Sequence, residues 1–481
     1  MILSTLVRHA FVGAVLFGLT SPVTHAEWET ICGGTKLQWP GKSATLRAAI
    51  PTDSPWYEAL KDAVTKWNYT GSAFHFSLIS DDSSFELQNG QSEVWFNNSA
   101  EDLKGSYGRT YWWADPATCK LTEADILFDI DAPWTASKLR SDSLAYDGTL
   151  IPFRAVAMHE LGHACGSGHT ADTYSVMGNA SHHVHANGDS TRYYPGENDV
   201  HESIQVYGKT TAGHEDVSVV HWRYSGQSGG YSTHARTRLF DLDGKELPKV
   251  SGASDDVAAE YDVVSGFPIR VEFTLENRGT SMKQVMLTFL TSSNDVISSG
   301  DEYLGSEPVS LNVKFANTIK SKPMTIHPLL TPGQSYYVGA IIDSTGLVDE
   351  VLETNNSTFI ARIRVRIPDL VATSIAGPKT VKLVSGSGTA NLSFLANAKN
   401  WNWNPYYELR LGKKKKPTSK DIGVANGLYT LGSTPQVTVK LDGLKTGTYR
   451  WMLVVPAIQG ESKTSNNVVL GNKVKIKNAK P

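Results

Sequence analysis

Apolar positions in the first half of the chain recur at a helical period. In SPWYEALKDAVTKWN (residues 54–68), Trp56, Leu60, Ala63, Val64 and Trp67 fall three or four apart, which predicts an amphipathic helix. Ser54 fits its N-cap and Pro55 its first helical position. IPFRAVAMHELGHACG (151–166) predicts a second helix, opened near Pro152 and ended at Gly166. SEVWFNN (92–98) and ADILFDID (124–131) read as strands between the two. Beyond about residue 215 the period changes. Short alternating runs such as IRVEFTLEN (269–277) and YYVGAIID (336–343) are separated by Gly, Pro, Asn and Ser turns, with no convincing helix. That pattern predicts β-sandwiches.

The second half also repeats itself. Residues 329–356 echo 441–467: a turn glycine, aromatics opening a strand, then paired asparagines. Each unit opens on a similar strand, DVSVV at Asp216 and DLVAT at Asp369, the first unit being about 40 residues longer. The Gly/Ser-rich stretch 225–256 accounts for the difference as an insertion or hairpin arm. The division that follows is a leader over 1–26, a mixed domain over 27–210, and two all-β modules over 215–366 and 367–481.

Composition changes this picture little. The chain has 481 residues, 40% hydrophobic and 19% charged, ordinary for a globular protein of about three domains. With 45 basic and 48 acidic residues, no global charge excess points to nucleic acid. The run LGKKKKP (411–417) reads as a solvated loop, an anionic surface being the other reading weighed for it. At the start, Arg8, the apolar run 10–19 and Thr24-His25-Ala26 have the form of a secretory signal cleaved before Glu27. The run is too short to span about 30 Å of hydrocarbon. No later stretch approaches 18 consecutive apolar residues, so the mature chain is expected to be secreted, extracellular, periplasmic or surface-associated, without a transmembrane segment. Export permits disulfides among Cys32, Cys119 and Cys165. The preferred reading is a Cys32–Cys119 bridge with Cys165 buried and reduced, although the sequence leaves all three pairings open.

The stretch AMHELGHACGSGHTADTYSVMG (157–178) is where chemistry concentrates. On a helix, His159 and His163 share a face and can point two imidazoles at one ion. Glu160, beside the first, can reach a water at that ion without ligating it. Gly166 lets the chain turn so that His169 supplies a third nitrogen. Three neutral nitrogens suit one zinc and leave its fourth tetrahedral position open, the mark of a catalytic rather than a structural site. A carboxylate third ligand, Glu197 or Glu202, fits less well than His169. The full set at fixed offsets arises by chance in roughly one chain in ten thousand.

HELGHACGSGH followed by YSVMG resembles the metzincin zinc peptidases, and among them the matrixins. LQWPGKSATLRAAIP (37–51) resembles their opening strand, LTEADILFD (121–129) the edge strand that holds substrate, and NDVHESIQVYG (198–208) their closing helix. The resemblance covers about residues 32–208. It implies an α+β catalytic domain, a twisted mixed sheet with helices, followed here by two immunoglobulin-like sandwiches. It implies His159, His163 and His169 as zinc ligands, Glu160 as general base and then acid, and Met177 as the floor of the site. Extended substrate would lie along Ala124, Asp125, Ile126 and Leu127, with Tyr193 and Tyr194 walling the pocket after the cut. Residues 144–152 lack the His- and Asp-rich loop of animal matrixins, so no second zinc is expected and calcium stays open. The family's inhibitory cysteine has a formal counterpart in Cys32, the disulfide being the preferred role. SHHVHANGD (181–189) reads as a specificity loop. The C-terminal units bear a looser resemblance to bacterial adhesion-related (CARDB-like) modules, the second lacking the acidic part of the pattern. The expected function is secreted zinc endopeptidase acting on extracellular proteins or peptides, with modules contacting an extracellular polymer or cell surface. The alternative is an adhesin whose zinc domain does not cut.

Overall fold

The computed structural model describes residues 28–479 apart from 32–33, 81, 147, 170–174, 179–183, 212, 224–235, 252–257, 328–329, 402–403 and 459. The expected leader and Cys32 lie outside the described residues, as do 225–235 and 252–256 of the insertion. No helix among the described residues is long and apolar enough to cross a membrane.

The N-terminal region is built on a five-stranded sheet of β1 (Ser43–Ala48), β2 (His75–Ile79), β3 (Ser92–Asn97), β4 (Gly108–Asp115) and β5 (Lys120–Asp129), in the order β2-β1-β3-β5-β4. Strands β2, β1, β3 and β5 run parallel, and β4 is antiparallel to β5. Helix α1 (Pro55–Asn68) buries Ala59, Leu60, Ala63, Val64 and Trp67, with Ser54 Oγ capping the Trp56 amide. Helix α2 (Phe153–Cys165) buries every residue but Arg154 and His163. A helix apolar on all sides has no solvent face and belongs in the centre of a domain. Its last turn is held by side chains reaching orphan carbonyls, Trp39 Nε1 donating to Ala164 O and the Tyr207 hydroxyl to Cys165 O, while Trp67 Nε1 donates to Met158 O in its middle. Tyr207 belongs to the closing helix α3 (Glu197–Tyr207).

One expectation is overturned here. The stretch from Ala124 to Leu127 lies on β5, which is paired on both sides and is no edge. Ala124, Asp125, Ile126 and Leu127 are all fully buried. The edges of this sheet are β2 and β4, and β4 is the one paired with β5. The unbroken run Ile126-Leu127-Phe128 carried the signal, because a strand covered on both faces loses the alternation of a half-exposed one.

The remainder is β-rich. From Val217 to Val365, one sheet centres on strand Pro268–Asn277 and a second has the order Glu260–Val263, Ser357–Val365, Ser335–Ile342, Lys283–Ser292, Glu302–Leu311. Tyr261, Phe273 and Phe289 fill the core they share. The described part of the insertion adds strand Leu239–Phe240 to Pro268–Asn277. From Asp369 onward, a three-stranded and a five-stranded sheet enclose Leu392, Phe394 and Trp451.

The sequence repeat has a physical meaning. In the first module Asp216 accepts from Asn355 Nδ2, while Glu350 accepts from the Val217 amide and from Asn356 Nδ2. In the second, Asp369 accepts from Asn466 Nδ2, while Glu461 accepts from the Leu370 amide and from Asn467 Nδ2. Each clamp ties the opening strand to the last crossover. The acidic element that the second unit was expected to lack is therefore present as Glu461. It keeps the six-residue spacing of Glu350 from Asn356, and was hidden because the loop around it differs in sequence.

The first module and the N-terminal region share a core. Val220, Trp222, Ala258, Leu290, Ile297 and Phe359 join the same buried cluster as Trp67, Phe153 and Met177. The hairpin of β6 (Val184–Asn187) and β7 (Ser190–Tyr193) is the joint. Trp222 Nε1 donates to Val184 O, Thr358 Oγ1 to Ala186 O, and Asn187 Nδ2 to Ile297 O and Ser357 Oγ. Arg140 completes it, 2.8 Å from Asp295, its guanidinium 4.8 Å from the Phe359 ring centroid. Phe359→Ala is accordingly expected to destabilise the N-terminal region itself, by about 3–5 kcal/mol, although it sits in the β module. Denaturant unfolding of the variant and the wild type, followed by tryptophan fluorescence, measures the shift.

Candidate metal centre

His159 and His163 project from consecutive turns of α2, and the chain reverses at Gly166 to bring His169 back over them. Gly166 has φ 109°, and a Cβ there would meet Leu37 O at 2.8 Å, so both conformation and space require glycine. The three Nε2 atoms form a triangle with edges of 3.1, 3.2 and 3.2 Å. His159 Nδ1 lies 2.7 Å from Val176 O and His163 Nδ1 2.8 Å from Ser167 O. Those carbonyls can only accept, which fixes the proton on Nδ1 and leaves Nε2 as a bare lone pair in both rings. Burial pushes the imidazole of His163 down to about 4 and that of His169 to about 3, keeping them neutral. Lone pairs converging this closely repel one another unless a cation lies among them. Nitrogens tetrahedrally bound at 2.0–2.1 Å would stand about 3.3 Å apart, so the donor set fits zinc. Among the described residues this is the group of His, Cys, Asp and Glu side chains that could hold a metal. Glu197 and Glu202 stay outside it, buried on α3.

Glu160 is buried beside the triad. Its Oε2 accepts from the Thr110 hydroxyl at 2.8 Å, and Oε1 has no hydrogen-bond partner. Burial raises its pKa to about 7, against the opposing pull of Thr110 and Arg109. Both residues lie on the edge strand β4, and neither was legible in the sequence. At the start of that strand, a Cβ on Gly108 would meet Val156 Cγ1 at 2.7 Å and Glu160 Cγ at 2.9 Å.

Met177 is buried with its sulfur against the backbone of α2; a Cβ on Gly162 would lie 2.1 Å from Met177 Sδ. Its turn is anchored by Asp199 on α3, which accepts from the Ser175 hydroxyl and from the amides of Val176 and Gly196, each amide at 2.8 Å. Because Val176 O also holds His159, Asp199 acts on the triad through one intervening residue. Asp199→Ala should therefore weaken zinc affinity by about 10–100-fold, measurable by competition with a chromogenic chelator. An acidic residue in the first turn of the closing helix was the available hint.

Tyr193 and Tyr194 are not pocket walls. They are 3% and 1% exposed. The Tyr193 hydroxyl faces Ser143 Oγ at 3.4 Å. The Tyr194 ring lies 3.9 Å beneath the guanidinium of Arg278, a residue of the first β module that also pairs with Asp216. Paired aromatics in a loop gave no means of telling an intramolecular joint from a substrate wall. In the predicted specificity loop, His185 is fully buried on β6, and His182 and His183 lie outside the described residues. Cys165 is free and buried as expected. Cys119 is buried, and its expected partner Cys32 lies outside the described residues.

Residues 52–208 match the matrixin family. The match spans four of the five sheet strands, all but β1, together with both histidine-bearing segments and the closing helix, and supports a zinc metallopeptidase. No curated protein matches the chain. Among solved structures, a CARDB domain from Pyrococcus furiosus in complex with di-metal ions is similar to the C-terminal part. It is 14% identical, with a TM-score of 0.19, over 32% of this chain and 99% of that one. A red sea bream transglutaminase is 14% identical over 61% of this chain and 36% of its own, with a TM-score of 0.16. The calcium-binding domain CBD12 of CALX1.1 is 11% identical over 40% and 76%, with a TM-score of 0.15.

Proposed function

We propose that the protein is an exported zinc endopeptidase of matrixin type, with a catalytic domain over residues 27–210 and two immunoglobulin-like modules over 215–366 and 367–481. The observation that carries this reading is the triangle of three converging Nε2 atoms with a buried, half-satisfied carboxylate beside it. His159, His163 and His169 would hold the ion. When bound, zinc supplies Lewis acidity toward the scissile carbonyl and the attacking water. Glu160 takes a proton from that water at its carboxylate and passes it to the nitrogen of the leaving amine. The Thr110 hydroxyl holds Oε2, so that Oε1 is the oxygen available to the proton. The substrate lies extended along the free side of β4, antiparallel to it, bound chiefly through main-chain hydrogen bonds. The leader over residues 1–26, export, and a Cys32–Cys119 bridge belong to the same proposal.

Metal analysis of purified protein should find one zinc per chain, and the protein should cleave a denatured substrate. A zinc chelator should abolish cleavage and added zinc restore it. Zinc bound without cleavage of any peptide library would favour the adhesin alternative, against which the intact Glu160 already speaks.

A further inference from the structure

The near-neutral net charge of −3 conceals a division. Residues 367–481 contain 17 Lys and Arg against five Asp and Glu, whereas residues 1–366 contain 28 against 43. The second module therefore carries net +12 on a chain that is otherwise net −15.

The excess is ordered. On strand Val468–Asn478, Val474 and Ile476 point into the core while Lys473, Lys475 and Lys477 are exposed on the opposite face. Alternate residues of a strand stand about 6.6 Å apart, so these ammonium groups form a row. The neighbouring strand Thr380–Leu383 sets Lys382 opposite Lys477 and Thr380 opposite Lys475. On the other side Thr448 stands opposite Lys475 and Arg450 opposite Lys473. Gly412 pairs with Arg450 and leads into Lys413–Lys416, all four exposed, so the row ends in the lysine turn. Of the acidic groups on this side, Glu408 pairs with Arg410 and Asp421 accepts from the Thr418 amide, which leaves Asp442. Among the described residues, Arg410–Glu408 is the ion pair of the whole module. Like charges set opposite one another cost a sheet stability, and folding gains nothing from this row.

A groove of about 920 Å³ continues from it, lined by Thr380, Lys382, Thr389, Asn391, Lys440 and Asp442. Lys382 belongs to both, so the charge and the groove form one surface. We propose that this surface binds an anionic polysaccharide. Three features select that partner. Apart from Arg450, which donates to Gly471 O, the cations of the row are lysines, point charges suited to a diffuse polyanion, rather than the arginine forks that read bases and phosphates. Threonine and asparagine between them offer hydrogen bonds to sugar hydroxyls, where a nucleic-acid strand would call for stacking aromatics. A groove accommodates a linear chain, whereas a bilayer presents a plane.

The test uses the full-length protein and two probes, heparin for a sulfated chain and polygalacturonate for a carboxylated one. At least one should bind, with an affinity that falls steeply as salt rises. Combined substitution K382Q/K473Q/K475Q/K477Q should weaken binding by at least about tenfold, since each screened surface charge contributes a few-fold. The corresponding Lys→Arg set should keep binding. Lys→Gln changes at Lys61, Lys104, Lys245 and Lys322, exposed lysines elsewhere, should have no such effect. Cleavage of a short soluble peptide should be unchanged throughout. Failure to bind either polysaccharide, binding indifferent to the four substitutions, or tighter binding to duplex DNA or to anionic phospholipid vesicles would overturn the proposal. None of these results bears on the peptidase reading.

Discussion

Glu160→Gln is expected to leave the zinc content at one per chain and to lower turnover by about 10²–10⁴-fold. The amide keeps the shape of the carboxylate and one acceptor oxygen for the Thr110 hydroxyl, so α2 and the triad stay in place. What is lost is the ability to take a proton. The burial that raises the carboxylate's pKa to about 7 makes it a base matched to neutral solution, and among the described residues the metal group itself contains histidines alone. Zinc measured alongside single-turnover cleavage separates the outcomes. Loss of metal would make Glu160 a structural support, and near-wild-type cleavage would reassign the base.

Gly162→Ala is expected to be nearly as damaging by a different route. The new methyl would stand 2.1 Å from Met177 Sδ and 3.0 Å from Trp67 Cζ2, and both neighbours are buried. Overpacking of this kind costs typically about 1–3 kcal/mol, and more where the neighbours cannot yield. Here the yielding element is the turn whose Val176 carbonyl orients His159, so the strain should reach the metal. Lower thermal stability together with weakened zinc affinity is the expected signature. Met177→Ala combined with Gly162→Ala should recover part of the metal affinity by removing the obstructing sulfur. Absence of any recovery would separate the glycine requirement from the methionine.

The two residues also show why part of this site was legible and part was not. The triad, Glu160 and the reversing glycine lie within eleven residues, and helical geometry fixes their relation without reference to the rest of the chain. Both helices, and the strand at residues 92–97, likewise follow from local periodicity and capping. Thr110 and Asp199 reach the site from 50 and 23 residues away, through a sheet edge and a helix start that no local pattern aims. The edge strand was misjudged because a run such as Ala124–Leu127 specifies a strand but not its neighbours; strand order is a property of the assembled sheet. Tyr194 was misjudged for the same reason, its partner Arg278 being contributed by another module. Glu461 shows that a hydrogen-bond clamp can persist where its sequence signature has drifted.

The hairpin wedged between the peptidase and its neighbouring module has a consequence for proteolytic processing. A single nick in the connection between Tyr207 and Val217 would not release a free catalytic fragment. The two pieces would remain associated through buried rings and main-chain hydrogen bonds, and would separate only in denaturant. An active species shorter than the full chain should therefore still co-purify with residues up to about Val365, whatever becomes of the lysine-rich module beyond it.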